Sequence, residues 1–389
     1  MLVKILVSLV YLGTLIFLAV RARRRTQSIE DYYVGGRNLP TLLVVLSFYA
    51  TFVSTNSFVG HSAKSFVFGV SWWIVGAILT LLTLFSWSVI APRFREKVGQ
   101  LGSVVPSDMF RLHFDSVPAG TVAAGIILFD SIFFLAAVFL GASESMAALL
   151  GIPFSVALLI VFSVQIMYTA IGGYLADVWS DSLQSVILLV GVIALPIAVV
   201  ASAGGWGAMW ESLAEIDSVR LSSGEAGYSL IRITTAAPLL MIAGIGLSGG
   251  LKFVADPRQL SRFYGLRDAA SAKRGVWLIT GLVGVTYLLL LPIGLFTRAL
   301  DLPPEIAART DAIVPWLLGD AQIVGLFLGT IILMALLAAA MSSIDSVLLV
   351  AAAALQKDIL PRFIRYKGST SVAGARRLVF IYALLPAGL

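Results

Sequence analysis

The chain has 389 residues, of which 59% are hydrophobic and only 12% charged, and its net charge is +6. A soluble domain carries about twice that charged fraction, so a water-facing shell around one core is excluded and lipid is the solvent that suits this composition. There is no cysteine and there are two histidines, His61 and His113, which excludes a disulfide framework and thiol chemistry and leaves no histidine cluster for a metal.

Apolar runs fall at 2–20, 40–63, 69–91, 119–149, 153–171, 174–201, 236–255, 273–297 and 321–355, and a tenth starts near 378 and is cut off at Leu389. Most are about 20 residues long, the length that crosses a bilayer as a helix. Barrel strands would alternate in shorter segments. The predicted class is an all-α polytopic protein of the inner (plasma) membrane, built as one membrane domain. The first run ends at Arg21, Arg23, Arg24 and Arg25 and lacks a basic start followed by a small-residue cleavage site, so it is expected to be an uncleaved span. The loops after the first, third, fifth, seventh and ninth runs hold 20 Lys and Arg, while the intervening loops hold five: Lys64, Arg220, Arg232, Arg298 and Arg309. That asymmetry places the first set in the cytoplasm and the N-terminus outside. It also accounts for the positive charge without nucleic acid. The long outer loop 202–235, with Trp206 and Trp210, is expected to contain a short interfacial helix.

Polar residues inside the runs carry the functional reading, because ionisable groups there are costly and face a cavity or one another. The second run holds Ser54-Thr55-Asn56-Ser57 and then Gly60, a pattern that suits a helix broken at mid-membrane with freed carbonyls. Asp130 lies about 16 Å into the fourth run at the helical rise, near mid-depth. In the sixth, Asp181 and Gln184 are one turn apart. The seventh has Gly244, Gly246, Gly249 and Gly250 before Lys252, Asp256 and Pro257. Formally this contains a GxGxxG, but no βαβ unit surrounds it, so a glycine-loosened helix is expected. Lys252 is open to two readings, a buried pair with an Asp or a contact to a substrate carboxylate. In the ninth, Ser342, Asp345 and Ser346 share a face beside Ser343, with Ala338, Ala339 and Ala340 just before them for close helix approach.

These stretches resemble the solute:sodium symporter family. The matching pieces are Asp31-Tyr32-Tyr33-Val34-Gly35-Gly36-Arg37, the Gly172–Gln184 stretch, Pro257 with Arg262-Phe263, and the Ser342-Ser343 pair. The resemblance implies a five-plus-five inverted-repeat transporter fold preceded by one extra N-terminal helix. Residues 2–20 would be that helix, 40–201 the first repeat, and 236–389 an incomplete second repeat, truncated at the C-terminus. It implies a sodium ion held by the carbonyls of Ala50, Val53 and Ala339 and the hydroxyls of Ser342 and Ser343. Neutral oxygens suit a hard cation that must be released in each cycle. Some members resemble a two-sodium design, which would engage Asp181, Ser346 and position 345. Here Asp345 stands where a hydroxyl is the pattern, so Asp181 and Asp345 can hold a cation or share a proton. Ser57 aligns with a substrate-contacting position, and Asn56, Asp130 and Lys252 complete the expected substrate set.

The function expected is sodium-coupled symport of a small organic solute, a carboxylate or zwitterion, by alternating access across the lipid bilayer. Proton-coupled transport on the same fold, through Asp181 or Asp345, is one alternative, and a non-transporting solute sensor is another. An intramembrane enzyme would need a nucleophile–base pair or metal cluster, and the sequence offers none.

Overall fold

The computed structural model of the chain describes residues 2–223, 229–233, 239–320, 322–363 and 371–387. Its regular elements among these residues are helices, with one isolated bridge between Leu39 and Leu266. Among these residues, each of the ten apolar runs is largely helical. The first is α1 (Leu2–Arg23), followed by the short α2 (Ile29–Val34). A reciprocal cap starts α2: Ser28 Oγ accepts from the Asp31 N–H at 3.0 Å, and Asp31 Oδ2 accepts from the Ser28 N–H at 2.9 Å. Tyr32 then donates to the Ala170 carbonyl at 3.0 Å and Tyr33 to Gln356 Oε1 at 2.5 Å. The Asp31–Arg37 motif therefore ties two spans together at one end of the bundle.

The second run is two helices, α3 (Thr41–Phe52) and α4 (Thr55–Phe68), separated by the extended residues Val53 and Ser54. The third is α5 (Trp73–Phe85), joined through a π turn at 86–90 to α6 (Ala91–Leu101). Then come α7 (Pro106–His113), α8 (Val117–Leu150) and α9 (Phe154–Ser202). As one rod α9 would be about 70 Å long, more than twice a hydrocarbon core. It is broken at Gly173 (φ 61, ψ −155), which separates the fifth span from the sixth. Only glycine fits there: a Cβ would lie 2.7 Å from the Tyr32 carbonyl oxygen.

The outer loop carries α10 (Trp206–Ser222), whose Trp206 and Trp210 rings pack on Phe296. The seventh run is α11 (Leu239–Ala255), followed at a 42° bend by α12 (Pro257–Tyr264). Here the structure departs from the expected glycine-loosened span. α11 is continuous through its glycines, and the break comes at Asp256, which caps α12 by accepting from the Arg258 N–H at 2.9 Å. Gly246 and Gly250 are instead buried packing positions, where Cβ atoms would press on Ile78 and Leu82 of α5. The chain ends with α13 (Ala269–Leu290), α14 (Ile293–Phe296), α15 (Pro304–Ala308), α16 (Ile313–Gly319), α17 (Leu326–Ala354), α18 (Leu360–Phe363) after a π turn, and α19 (Val372–Ala387). Among the described residues, six helical stretches are long and apolar enough to cross a membrane, and the bent α11–α12 pair makes up to seven.

The centre of the bundle is α17, buried at every residue from Ile332 to Ala354 and packed against α8 and α9. Lipid tails give apolar helices no hydrophobic reason to prefer one another, so packing and interhelical hydrogen bonds hold such a bundle. Tyr49 bonds Thr286 at 2.6 Å between α3 and α13, and Ser107 and Arg111 of α7 bond Asp358 at 2.8 and 3.0 Å. α8 and α11 keep large apolar side chains exposed, among them Phe129, Phe133, Leu240 and Leu251, as lipid-facing surfaces do.

Candidate functional site

The break between α3 and α4 is where the site begins. In an unbroken helix the Ser54 N–H would bond the Ala50 carbonyl, and the Ser57 N–H the Val53 carbonyl. Instead Ser54 N–H donates to Ser57 Oγ at 3.2 Å and Ser57 N–H to the Ser54 carbonyl at 2.8 Å. The two upstream carbonyls lose those helical partners. Ser342 of α17 reaches across to the Ala50 carbonyl at 3.0 Å and also donates to Ala339 at 3.1 Å, while Ser343 donates to Ala339 at 3.3 Å. Ala50, Ala339 and both serines thus form one buried group of neutral oxygens, with Val53 at the adjoining end of α3. The donor set fits a hard monovalent cation: it has carbonyl and hydroxyl oxygens and nothing that must lose a proton first.

Above this group lies a cavity of about 1030 Å³. Ala339 and Ser343 line it, with Ser54, Thr55, Asn56 and Gly60 from the broken span. Gly141, Glu144, Ser145 and Ala148 form one stripe of α8 along its wall. Lys4 of α1 and Arg309 and Asp311 near α16 also face it. Lys4, Glu144, Arg309 and Asp311 form no ion pair with another described residue. The cavity therefore presents unpaired charges of both signs.

On the other side of the serines sits a second, denser group. Asp177, Asp181 and Asp345 are fully buried, and one oxygen of each lies within 4.8 Å of the others. Asp345 accepts from Gln165, Tyr168 and, at 3.0 Å, Thr169. Arg262 of α12 pairs with Asp177 at 2.6 Å and Asp181 at 3.0 Å, and also donates to Thr51 and Ser346. Ser47 donates to Asp181 at 2.6 Å.

The substrate residues expected from the sequence are only partly brought together. Asn56 lines the cavity. Ser57 is buried and serves the backbone break. Asp130 and Lys252 stand elsewhere, exposed on α8 and α11 and away from the cavity lining. Depth along the helix pointed to Asp130 and the place just past the glycines to Lys252, but the face each occupies points outward. The sequence reading missed Asp177 and Arg262. Asp177 lies one turn before Asp181, which was a usable signal. Arg262 was counted as a loop charge, and only the return of α12 into the bundle shows its role.

The sodium/pantothenate symporter of Escherichia coli (strain K12) is 26% identical over 344 residues, 88% of this chain and 68% of that protein. The substrate-bound, outward-open structure of a sodium-coupled sialic acid symporter superposes with a TM-score of 0.82 at 18% identity, covering 99% of this chain and 80% of that one. A more distant likeness is Mhp1, a nucleobase-cation-symport-1 family transporter, at a TM-score of 0.54 and 13% identity, over 92% of this chain and 74% of that one. The two structures speak for the fold. The sequence profile described as the sodium:solute symporter family matches residues 32–386, and the chain belongs to that family.

Proposed function

We propose that the protein couples downhill sodium entry to uptake of a small zwitterionic or anionic solute by alternating access. The observation that carries this reading is the buried group of Ala50, Ala339, Ser342 and Ser343, next to Val53 at the helix break, of which Ala339 and Ser343 line the cavity. A cation that reaches the inner end of the cavity meets neutral oxygens there, at a broken helix whose freed carbonyls suit it. Proton coupling finds less support: Asp181 and Asp345 do not line the cavity and are engaged by Arg262 and by hydrogen-bond donors. Solute class follows from the four unpaired charges. Lys4 and Arg309 attract a carboxylate, and Glu144 and Asp311 attract an ammonium group. Under the topology read from the loop charges, the N-terminus and Arg309 lie outside, so the cavity is the external vestibule.

The test is uptake into proteoliposomes at fixed pH, with carboxylates, amino acids and neutral sugars, under an imposed sodium gradient or an imposed proton gradient. Sodium-driven accumulation of a carboxylate or amino acid is expected. Accumulation driven by protons without sodium would overturn the reading. Arg309→Gln should weaken a carboxylate solute about 3- to 5-fold, the scale of a partly screened charge contact, and leave a neutral sugar unaffected.

A further inference from the structure

The three-carboxylate group poses a problem of charge. Carboxylates this close and this buried need a counter-cation or a proton. Sodium is one candidate, and its ligands would be carboxylate and hydroxyl oxygens. In the structure those oxygens already surround a cation. The Arg262 guanidinium is fully buried and contacts both oxygens of Asp177, at 2.6 and 3.1 Å, and Asp181 Oδ2 at 3.0 Å. It also contacts Thr51 Oγ1 at 3.0 Å and Ser346 Oγ. These ligands come from the second, sixth and ninth spans, as expected for an ion site between helices.

Arg262 stands on α12, outside the spans that supply its ligands. Tyr174, at the start of the sixth span, donates to the Ser261 and Arg262 carbonyls at 3.1 Å each while its ring lies 5.7 Å from the guanidinium carbon. Such a cation neutralises charge in every cycle without being carried. Ser346 also donates to the Ser342 carbonyl at 2.9 Å, so the guanidinium lies one helical turn from the proposed sodium ligands. A second metal ion would have to displace it.

We infer that Arg262 is a built-in counter-cation that closes the Asp177–Asp181 site to a second metal ion and so sets coupling at one sodium per solute. This rests on the sodium-coupled reading of the site. Removing the guanidinium would leave oxygens of Asp177, Asp181, Thr51 and Ser346 facing one another. Asp181 Oδ1, buried and without a hydrogen-bond partner, is a further acceptor among the same residues. Arg262→Gln is therefore expected to gain a second sodium.

The measurement is the solute gradient held by a fixed sodium gradient in proteoliposomes of the full-length protein, with the membrane potential clamped at zero. A tenfold sodium gradient balances a solute gradient of about tenfold at one ion per solute and about a hundredfold at two. The wild-type protein and Arg262→Lys, which keeps the charge, should give the first value and Arg262→Gln the second. A double variant, Asp177→Asn with Arg262→Gln, preserves the net charge of the group and should also give the second value if the single variant does not fold. A wild-type gradient near a hundredfold, or two-ion behaviour that never appears in a folded guanidinium-free variant, overturns the inference and leaves sodium coupling standing. Loss of all sodium dependence in the wild type would sink the coupling reading and this inference with it.

Discussion

A serine hydroxyl inside a membrane helix ordinarily returns its proton to a carbonyl one turn back, and many serines in this chain do so, Ser88 and Ser143 among them. Ser342 does this toward Ala339 and also reaches another helix at Ala50. That second contact exists because α3 stops at Phe52 and the Ser54 N–H turns away. The hydroxyl and both carbonyls lie within hydrogen-bond distance in one buried group, oxygens of the kind a hard cation binds. Gly173 is the other residue on which the site depends, since it sets where the sixth span, with Asp177 and Asp181, begins. Gly173→Ala would force an L side chain to φ 61 against the Tyr32 carbonyl. It is expected to cost on the order of 1–3 kcal/mol or more, read as a lower melting temperature of the purified protein.

At the scale of elements, the second and seventh spans show two kinds of discontinuity. α3–α4 breaks at small polar residues within the membrane, where the freed backbone serves the site. α11–α12 breaks at Asp256-Pro257, where a cap and a proline start a new helix that carries Arg262 back into the bundle. Close helix contact elsewhere depends on glycine. A Cβ at Gly294 of α14 would lie 1.8 Å from the Ser62 carbonyl of α4, whereas at Gly244 of α11 nothing lies within 4 Å. Gly294→Ala should lower stability by about 1–3 kcal/mol, and Gly244→Ala should be neutral or slightly stabilising through helix propensity. Denaturation of the two variants side by side checks the contrast. The entry to α13 has a pH signature. The Ser271 hydroxyl and N–H both bond the exposed Asp268 carboxylate and hold it below the usual carboxylate range. A depressed folded pKa means this cap is fully present above the ordinary carboxylate pKa and is lost as pH falls through the lower folded value. Asp268→Ala should remove that part of the acid sensitivity.

For the whole molecule, the order of spans was legible because each apolar run is long and bounded by charge or glycine. The broken second span was legible from four consecutive polar residues, although the break falls at Val53–Ser54 and Gly60 stays inside α4. Facing was not legible. Asp130 and Lys252 sit at plausible depths, yet which side of a helix meets a cavity depends on neighbours distant in sequence. The Arg262 contacts were hidden for the same reason, since its partners lie on three other segments. The cysteine-free sequence makes the topology directly testable. A single cysteine at Arg267 should react only from the cytoplasmic side and one at Ser222 only from outside, and external labelling at position 267 with none at 222 would reverse the orientation.

The central claim is that Ser342, Ser343 and the carbonyls at the helix break hold the coupling ion. It is tested most directly by titrating sodium against solute binding in Ser343→Ala, beside Ser88→Ala as a serine far from the site. Loss of one ligand to a cation should cost about 1–3 kcal/mol, on the scale of a hydrogen bond to a charged group, which is roughly a ten- to hundredfold rise in the sodium midpoint. Because the two ligands are linked, solute affinity should fall at low sodium and recover at high sodium, with Ser88→Ala unchanged. A sodium midpoint in Ser343→Ala equal to that of the wild type would contradict the account and leave these serines as packing hydroxyls.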